Sequence, residues 1–234
     1  MASLDQRIER FIVGHRWGPI DWVFVWLSRI GAGGLVWIVL AVVLAYVWRR
    51  PFLVVGVVGA VVLSGLTVTR IQDALGRRRP PFLFLEWRPL VSVPHHGSFP
   101  SGHTTTAFAC ALVLAAATER QRLRLAFFAL AAAIGFSRLY VGVHFPLDVL
   151  GGVALGLAYG ALTLQLVGRL EHARNDHAER REQRDPEADP TPRRDDGERD
   201  PDDAVEHEDD AEDAEPDEHE ALRQARGQDD PEAP

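Results

Sequence analysis

Apolar residues run through the first 170 or so positions in long blocks, broken by short polar segments. Ile30–Trp48, Pro51–Thr69, Thr104–Thr118 and Val149–Gly168 contain no charged residue, and Leu123–Ser137 contains only Arg124. A helix crossing a bilayer core needs about 20 mostly apolar residues, so these are five strong candidates for spans. A sixth and shorter block, near residues 19–30, carries Asp21 and Arg29, with Trp17, Trp22 and Trp26 placed as interfacial anchors. The pattern predicts an all-α fold, a six-helix transmembrane bundle, with helices near residues 19–30, 32–48, 51–75, 103–118, 123–139 and 147–168. Residues 4–13 read as a short amphipathic surface helix, and residues 1–172 form one transmembrane domain.

Six spans sort the polar segments into two sets. The N-terminus, Arg49–Arg50, the "ERQRLR" segment at 119–124 and the C-terminal tail fall on one side. Gly31–Gly34, the loop from Gly76 to Gly102 and the loop from Arg138 to Pro146 fall on the other. Arginine is the more abundant in the first set, so the positive-inside bias predicts both termini in the cytoplasm and the long loop outside, in a multi-pass plasma membrane protein.

Charge divides the chain a second time. Residues 1–174 hold 17 Arg against 8 Asp plus Glu, whereas residues 175–234 hold 8 Arg against 25 Asp plus Glu, and no lysine occurs anywhere. The tail, residues 173–234, has too few large apolar residues to offset the entropy of ordering, so it is expected to be a disordered acidic cytoplasmic extension. The single Cys110 excludes an intramolecular disulfide and a thiolate metal cluster. "MASLDQRIERF" lacks the apolar core of a secretory signal, so no cleavage is expected.

Three polar segments fall on one predicted face: "GRRRP" (76–80), "FPSGHTTTAFA" (99–109) and "SRLYVGVHFPLDVLGG" (137–152). Arg, His and Asp at one membrane depth are expensive unless they serve a site. In "PSGH", Ser101 or Gly102 stands where a helix starts, and His103 falls in its first turn. Unpaired N–H groups and the helix dipole suit an anion there, and glycine permits close approach. Taken alone, the motif is as well read as an ordinary N-cap beside an interfacial histidine. His144 precedes Asp148 by four residues, with Pro146 suited to a first helical position. A carboxylate on one imidazole nitrogen leaves the other free as nucleophile or base. Arg138 ends the preceding helix on the same face, and the guanidinium fork matches phosphate oxygens. Two histidines, an aspartate and several arginines, without an evident metal ligand set, point to phosphomonoester or pyrophosphate hydrolysis through a phosphohistidine.

The ordered trio "RRRP … PSGH … SRLYVGVHFPLD" resembles the signature of the type 2 phosphatidic acid phosphatase superfamily, K-x6-R-P, P-S-G-H and S-R-x5-H-x3-D. The second and third parts match at Pro100–His103 and at Ser137, Arg138, His144 and Asp148. The resemblance extends over most of residues 19–168. It implies a six-helix membrane phosphatase with His144 as nucleophile, Asp148 orienting it, and His103 protonating the leaving group. Arg79, Arg138, Ser101 and the Gly102 N–H would hold phosphate, with neither metal nor cofactor. It further implies an extracytoplasmic site acting on a lipid phosphate or diphosphate, such as phosphatidic acid, phosphatidylglycerol phosphate or a polyprenyl diphosphate. The implied partners are that lipid and the bilayer rather than nucleic acid, with any partner of the tail left open.

One position departs from the pattern. Gln72 stands where the family places its lysine, so a neutral amide replaces a cation. Gln72 would keep an N–H donor, and Arg77 or Arg78 would be placed to supply the missing charge. The departure also admits an alternative, a catalytically weakened member that binds lipid phosphates or serves as a scaffold. His95 and His96 read as residues of a solvated loop. "FLFLEW" (82–87) either touches a lipid chain or packs the loop. The small residues of "GGVALGLAYGA" (151–161) favour close helix packing.

Overall fold

A computed structural model describes residues 3–84 and 86–184, and they are helical apart from short connections and one longer non-helical stretch, 86–101. The helices are α1 (Leu4–Gly14), α2 (Gly18–Ile30), α3 (Leu35–Trp48), α4 (Phe52–Leu75), α5 (Pro80–Leu83), α6 (Gly102–Ala116), α7 (Gln121–Tyr140) and α8 (Pro146–Arg184), with a single 3₁₀ turn at Ala32–Gly34. The six expected membrane helices correspond to α2, α3, α4, α6, α7 and α8. Tyr46, Val47, Val62 and Leu66 point outward with half or more of their surface exposed, while Trp37, Ala41, Val57, Cys110, Leu114 and Ile134 fill the interior. An outward apolar surface around a packed core is what a bilayer solvates and water does not.

At the centre, α6 packs between α4, α7 and α8. Its closest neighbour is α8, and the reason lies in the glycines spaced every four residues, which form one face of that helix. A Cβ added at Gly152, Gly156 or Gly160 would lie 2.8, 2.5 or 2.9 Å from the carbonyl oxygens of Ser101, Thr105 and Ala109, respectively. Helix backbones therefore meet directly along this seam, as the small-residue stripe implied.

The chain between α2 and α3 differs from its expected form. Gly33 and Gly34 adopt φ of 62° and 73°, and the two helices meet at a 57° bend. Any side chain at Gly34 would collide with Val61 and Thr106, whose side chains lie 2.7 and 3.1 Å from the position of its Cβ. α2 starts beside the end of α7, where the Trp17 N–H donates to the Tyr140 hydroxyl (3.0 Å). α3 ends beside the end of α6, where Arg50 donates to the Ala117 carbonyl (3.1 Å). The pair therefore traverses the bundle once. A 13-residue helix is about 20 Å long, too short to cross a core of about 30 Å alone. Gly31–Gly34 is accordingly an internal bend, not a surface loop.

This puts the N-terminal helix at the opposite end of the bundle from the one that six separate crossings would give. A single traverse by α2 and α3 leaves α1 at the same end as the PSGH segment and the 141–145 loop. There Asp5 of α1 accepts from the Leu147 N–H at 2.8 Å. α1 starts with a capping box, in which Ser3 Oγ accepts from the Gln6 N–H and Gln6 Oε1 from the Ser3 N–H. Leu4, Ile8 and Phe11 are exposed on one face, while Asp5 and Glu9 are buried on the other.

At the far end α8 continues to Arg184, past the expected end of the domain at residue 172. Residues 169–184 contain no Gly or Pro, so nothing in the local sequence stops the helix. The rest of the acidic tail lies outside the described residues.

Candidate functional site

Four chain segments converge at the end of the bundle that carries α1. α4 ends at Gly76, whose φ of 57° turns the chain into the arginine triplet. α6 starts at Gly102 with Ser101 as its N-cap residue, so the first-turn N–H groups of Gly102 and His103 have no intrahelical partner. α7 delivers Arg138 in its last turn, and α8 delivers Asp148 in its first. Gln72, Arg79, Gly102, His103, Arg138 and His144 line one cavity of about 220 Å³, whose wall is completed by Gly31 and Gly33 of the bend.

His144 is the most enclosed of these groups, with 2% of its side chain exposed. Its Nδ1 lies 3.5 Å from Asp148 Oδ2, and its Nε2 lies 2.9 Å from Arg79 Nη1. Asp148 Oδ2 also accepts from the Phe145 N–H at 2.8 Å, and the Asp148 carbonyl accepts from the Ser101 N–H at 2.9 Å. The PSGH turn and the carboxylate are thus tied together. Burial pushes the imidazole of His144 down to about 4, helped by the charges of Arg79 and Arg138 and opposed by Asp148. The ring is neutral at ordinary pH. Facing a guanidinium, its Nε2 acts as acceptor, which leaves the proton on Nδ1, towards Asp148.

The two cavity arginines are buried and differently held. Arg79 donates from Nε to the His96 carbonyl (3.0 Å), from Nη2 to the Gly97 carbonyl (3.0 Å) and from Nη1 to the Val143 carbonyl (3.3 Å). Arg138 donates from Nη1 to the Ser28 hydroxyl on α2, and its Nε is buried without a partner. A buried N–H beside a cavity is a ready donor to an entering anion.

Gln72 lines the cavity, and its side-chain amide donates to the Pro100 carbonyl at 2.8 Å. Ser101, expected to hold phosphate, does not line the cavity: it is fully buried, with its hydroxyl accepting from Thr104 at 3.0 Å. Arg77 and Arg78 do not face the cavity. Arg77 is partly buried and turns to Asp5 and Asp148, with which it pairs. Arg78 is exposed beside a neighbouring hollow of about 290 Å³ that also holds His95 and His96. His96 Nδ1 lies 2.9 Å from Asp73 Oδ1. In the "FLFLEW" segment Phe82 and Leu83 are exposed and Trp87 is buried. Asp5, Glu9 and Ser28 escaped the sequence reading. The discernible signal was the i,i+4 pair of acids on an otherwise amphipathic α1.

Comparison with known proteins places this geometry among relatives. The family model described as the PAP2 superfamily matches residues 53–171. A lipid A 1-phosphatase of Rhizobium johnstonii is 39% identical over 114 residues, 47% of this chain and 46% of that protein. The chain thus spans about half the length of that relative. A decaprenylphosphoryl-5-phosphoribose phosphatase of Mycobacterium tuberculosis is 36% identical over 151 residues, 63% of this chain and 81% of that protein. The crystal structure of LpxE from Aquifex aeolicus superimposes with a TM-score of 0.61 at 29% identity, covering 70% of this chain and 96% of that one. The PAP2-type phosphatidylglycerolphosphate phosphatase of Bacillus subtilis shares the fold, with a TM-score of 0.60 at 23% identity and coverage of 70% and 85%.

Proposed function

The chain belongs to the PAP2 superfamily, and from that premise we propose that it is an integral membrane phosphatase. Its substrate is a lipid phosphate or diphosphate, hydrolysed through a phosphohistidine without a metal ion. The observation that carries the reading is the single cavity in which His144 Nε2, His103, Arg79 and Arg138 converge. The site lies at one end of an apolar bundle, where a lipid can present its headgroup while its tail stays in the bilayer.

The residues divide the work as follows. A phosphate entering the cavity displaces Arg79 from His144 Nε2 and takes its place between them. Arg79, Arg138 and the first-turn N–H groups of α6 hold the equatorial oxygens, where negative charge concentrates in the transition state. The Nε2 lone pair forms a bond to phosphorus as the bond to the leaving oxygen breaks. The departing electron pair stays on that oxygen, which His103 protonates. The imidazole becomes positive as it is phosphorylated, and Asp148 stabilises that charge through Nδ1–H. Water, deprotonated by His103, then attacks phosphorus, and inorganic phosphate leaves with His144 restored.

Purified protein in detergent or nanodiscs is expected to release phosphate from phosphatidic acid, phosphatidylglycerol phosphate or a polyprenyl diphosphate with chelator present. His144→Ala is expected to lower turnover by about 10⁴-fold or more. Full turnover in that variant, or a strict requirement for divalent metal, would overturn the mechanism. The weakened-member reading rests on Gln72 alone, and it gains ground only if Gln72→Lys raises turnover at least about tenfold.

A further inference from the structure

Asp148 is held from two sides. His144 and the Phe145 N–H address its Oδ2, while Arg77 Nη1 addresses its Oδ1. Arg77 is itself bound at three points. Its Nη2 donates to Asp5 Oδ2, its Nη1 to Asp148, and its guanidinium carbon lies 4.9 Å from the centroid of the Phe145 ring. Asp5 uses its other oxygen to accept from the Leu147 N–H. Both carboxylates are buried, Asp5 at 6% exposure and Asp148 at 0%. Asp5 belongs to α1, outside the stretch that the family model matches.

We propose that Asp5 and Arg77 are positioning residues of the phosphatase reaction: α1 reaches over the site end of the bundle and, through the chain Asp5–Arg77–Asp148, fixes the carboxylate that orients His144. The inference rests on the reading of His144 as nucleophile. The Nη1–H on Oδ1 and the Phe145 N–H on Oδ2 stop the carboxylate turning about its own axis, so Oδ2 stays beside His144 Nδ1. Arg77 alone would also draw charge from Asp148 and weaken its hold on Nδ1–H. Asp5 shares that cation and leaves Asp148 its charge for the phosphorylated imidazole. Glu9, one turn along α1, is fully buried with both carboxyl oxygens unpartnered. Burial pushes its acid up to about 9, so it stays neutral and adds no competing negative charge.

The test uses the full chain in nanodiscs, with Asp5→Asn and Arg77→Gln. Two readouts are taken, steady-state kinetics on a lipid phosphate and the imidazole ¹⁵N titration of His144, assigned against His144→Ala. The charged and titratable groups around His144 are Arg79 before α5, His103 on α6, Arg138 on α7, Asp148 on α8, and beyond it Arg77, Asp5 and Glu9. Against that fixed surround the two variants act oppositely. Arg77→Gln removes a positive charge and raises the His144 midpoint, whereas Asp5→Asn removes a negative charge and lowers it, each by about half a unit or more. Each variant also lowers kcat about tenfold while KM stays within about twofold. Asp5→Asn is isosteric, so it tests the chain even if Arg77→Gln does not fold. Unchanged midpoints, or a loss of thermal stability with kcat and midpoint intact, would overturn the proposal. Opposite midpoint shifts in the two variants, beside a wild-type protein that releases no phosphate, would sustain the positioning chain and refute the phosphatase reading.

Discussion

Gln72 raised the main question at the scale of single residues, and its surroundings show what its side chain holds. The side-chain amide ties α4 to the Pro100 carbonyl, at the turn that precedes α6. Neither Arg77 nor Arg78 replaces the family lysine at the cavity, because Arg77 is engaged by two carboxylates and Arg78 faces outward. In the proposed mechanism phosphate charge is therefore met by Arg79, Arg138 and the start of α6. His144, Asp148, His103, Arg79 and Arg138 were all legible as a group from their motif spacing. The partners of Gln72 and Arg77 were not, because each comes from a distant part of the chain. Glu9 leads to a prediction about stability. In the folded chain it keeps its proton up to about pH 9, whereas its ordinary value is 4.5. Its contribution is therefore fully present below about pH 4.5 and is lost progressively as pH rises towards 9. Glu9→Gln is expected to raise the thermal midpoint at pH 8 by about 5 °C and to leave it unchanged at pH 4. Equal effects at both pH values would refute the assignment.

Among the helices, glycine decides two arrangements. The bend between α2 and α3 needs positive φ at Gly33 and Gly34 and space at Gly34, and it places the bend against the site cavity. The α6–α8 seam needs bare backbone at Gly152, Gly156 and Gly160, and it sets Asp148 beside Ser101. Gly156→Leu forces the two helices apart, and overpacking of this kind costs about 1–3 kcal/mol or more. The variant is expected to lose most folded yield in detergent, while Gly65→Leu, where an added Cβ meets nothing within 4 Å at the cavity edge, retains it. Fluorescence-detected size exclusion reads both, and equal yields would show that the seam tolerates separation. The apolar runs made six helices legible, but the two shortest could be read as separate crossings. Run length alone does not distinguish a bend inside a bundle from a loop at its surface.

For the whole molecule, the single traverse by α2 and α3 moves Arg7, Arg10 and Arg16 to the site end. The arginine bias that favoured a cytoplasmic N-terminus then disappears. Of the arginines now at that end, Arg16, Arg77, Arg79 and Arg138 are bound within the protein. Arg7, Arg10, Arg78 and Arg88 stay exposed there, against Arg49, Arg50, Arg120, Arg122, Arg169 and Arg174 at the other end. On that balance we expect the far end in the cytoplasm and the N-terminus outside, with the site. A cysteine at Ser3 in a Cys110→Ala background is expected to react with an impermeant maleimide in intact cells, and one at Gln121 only after lysis. The reverse pattern would place the site in the cytoplasm.

Helix class, span positions, the PSGH helix start and the motif residues follow from spacings of a few residues along one chain, because helical periodicity, capping and hydropathy are local properties. The end of the bundle that α1 occupies, the partner of Arg77 and the use made of Gln72 do not. Asp5 and Leu147 are 142 residues apart, Arg77 and Asp148 71, and Gln72 and Pro100 28. Contacts over such separations exist only once helix packing has placed the bend and the glycine seam. The arginine triplet is therefore divided in space: Arg79 enters the cavity, Arg77 braces Asp148 behind it, and Arg78 meets solvent.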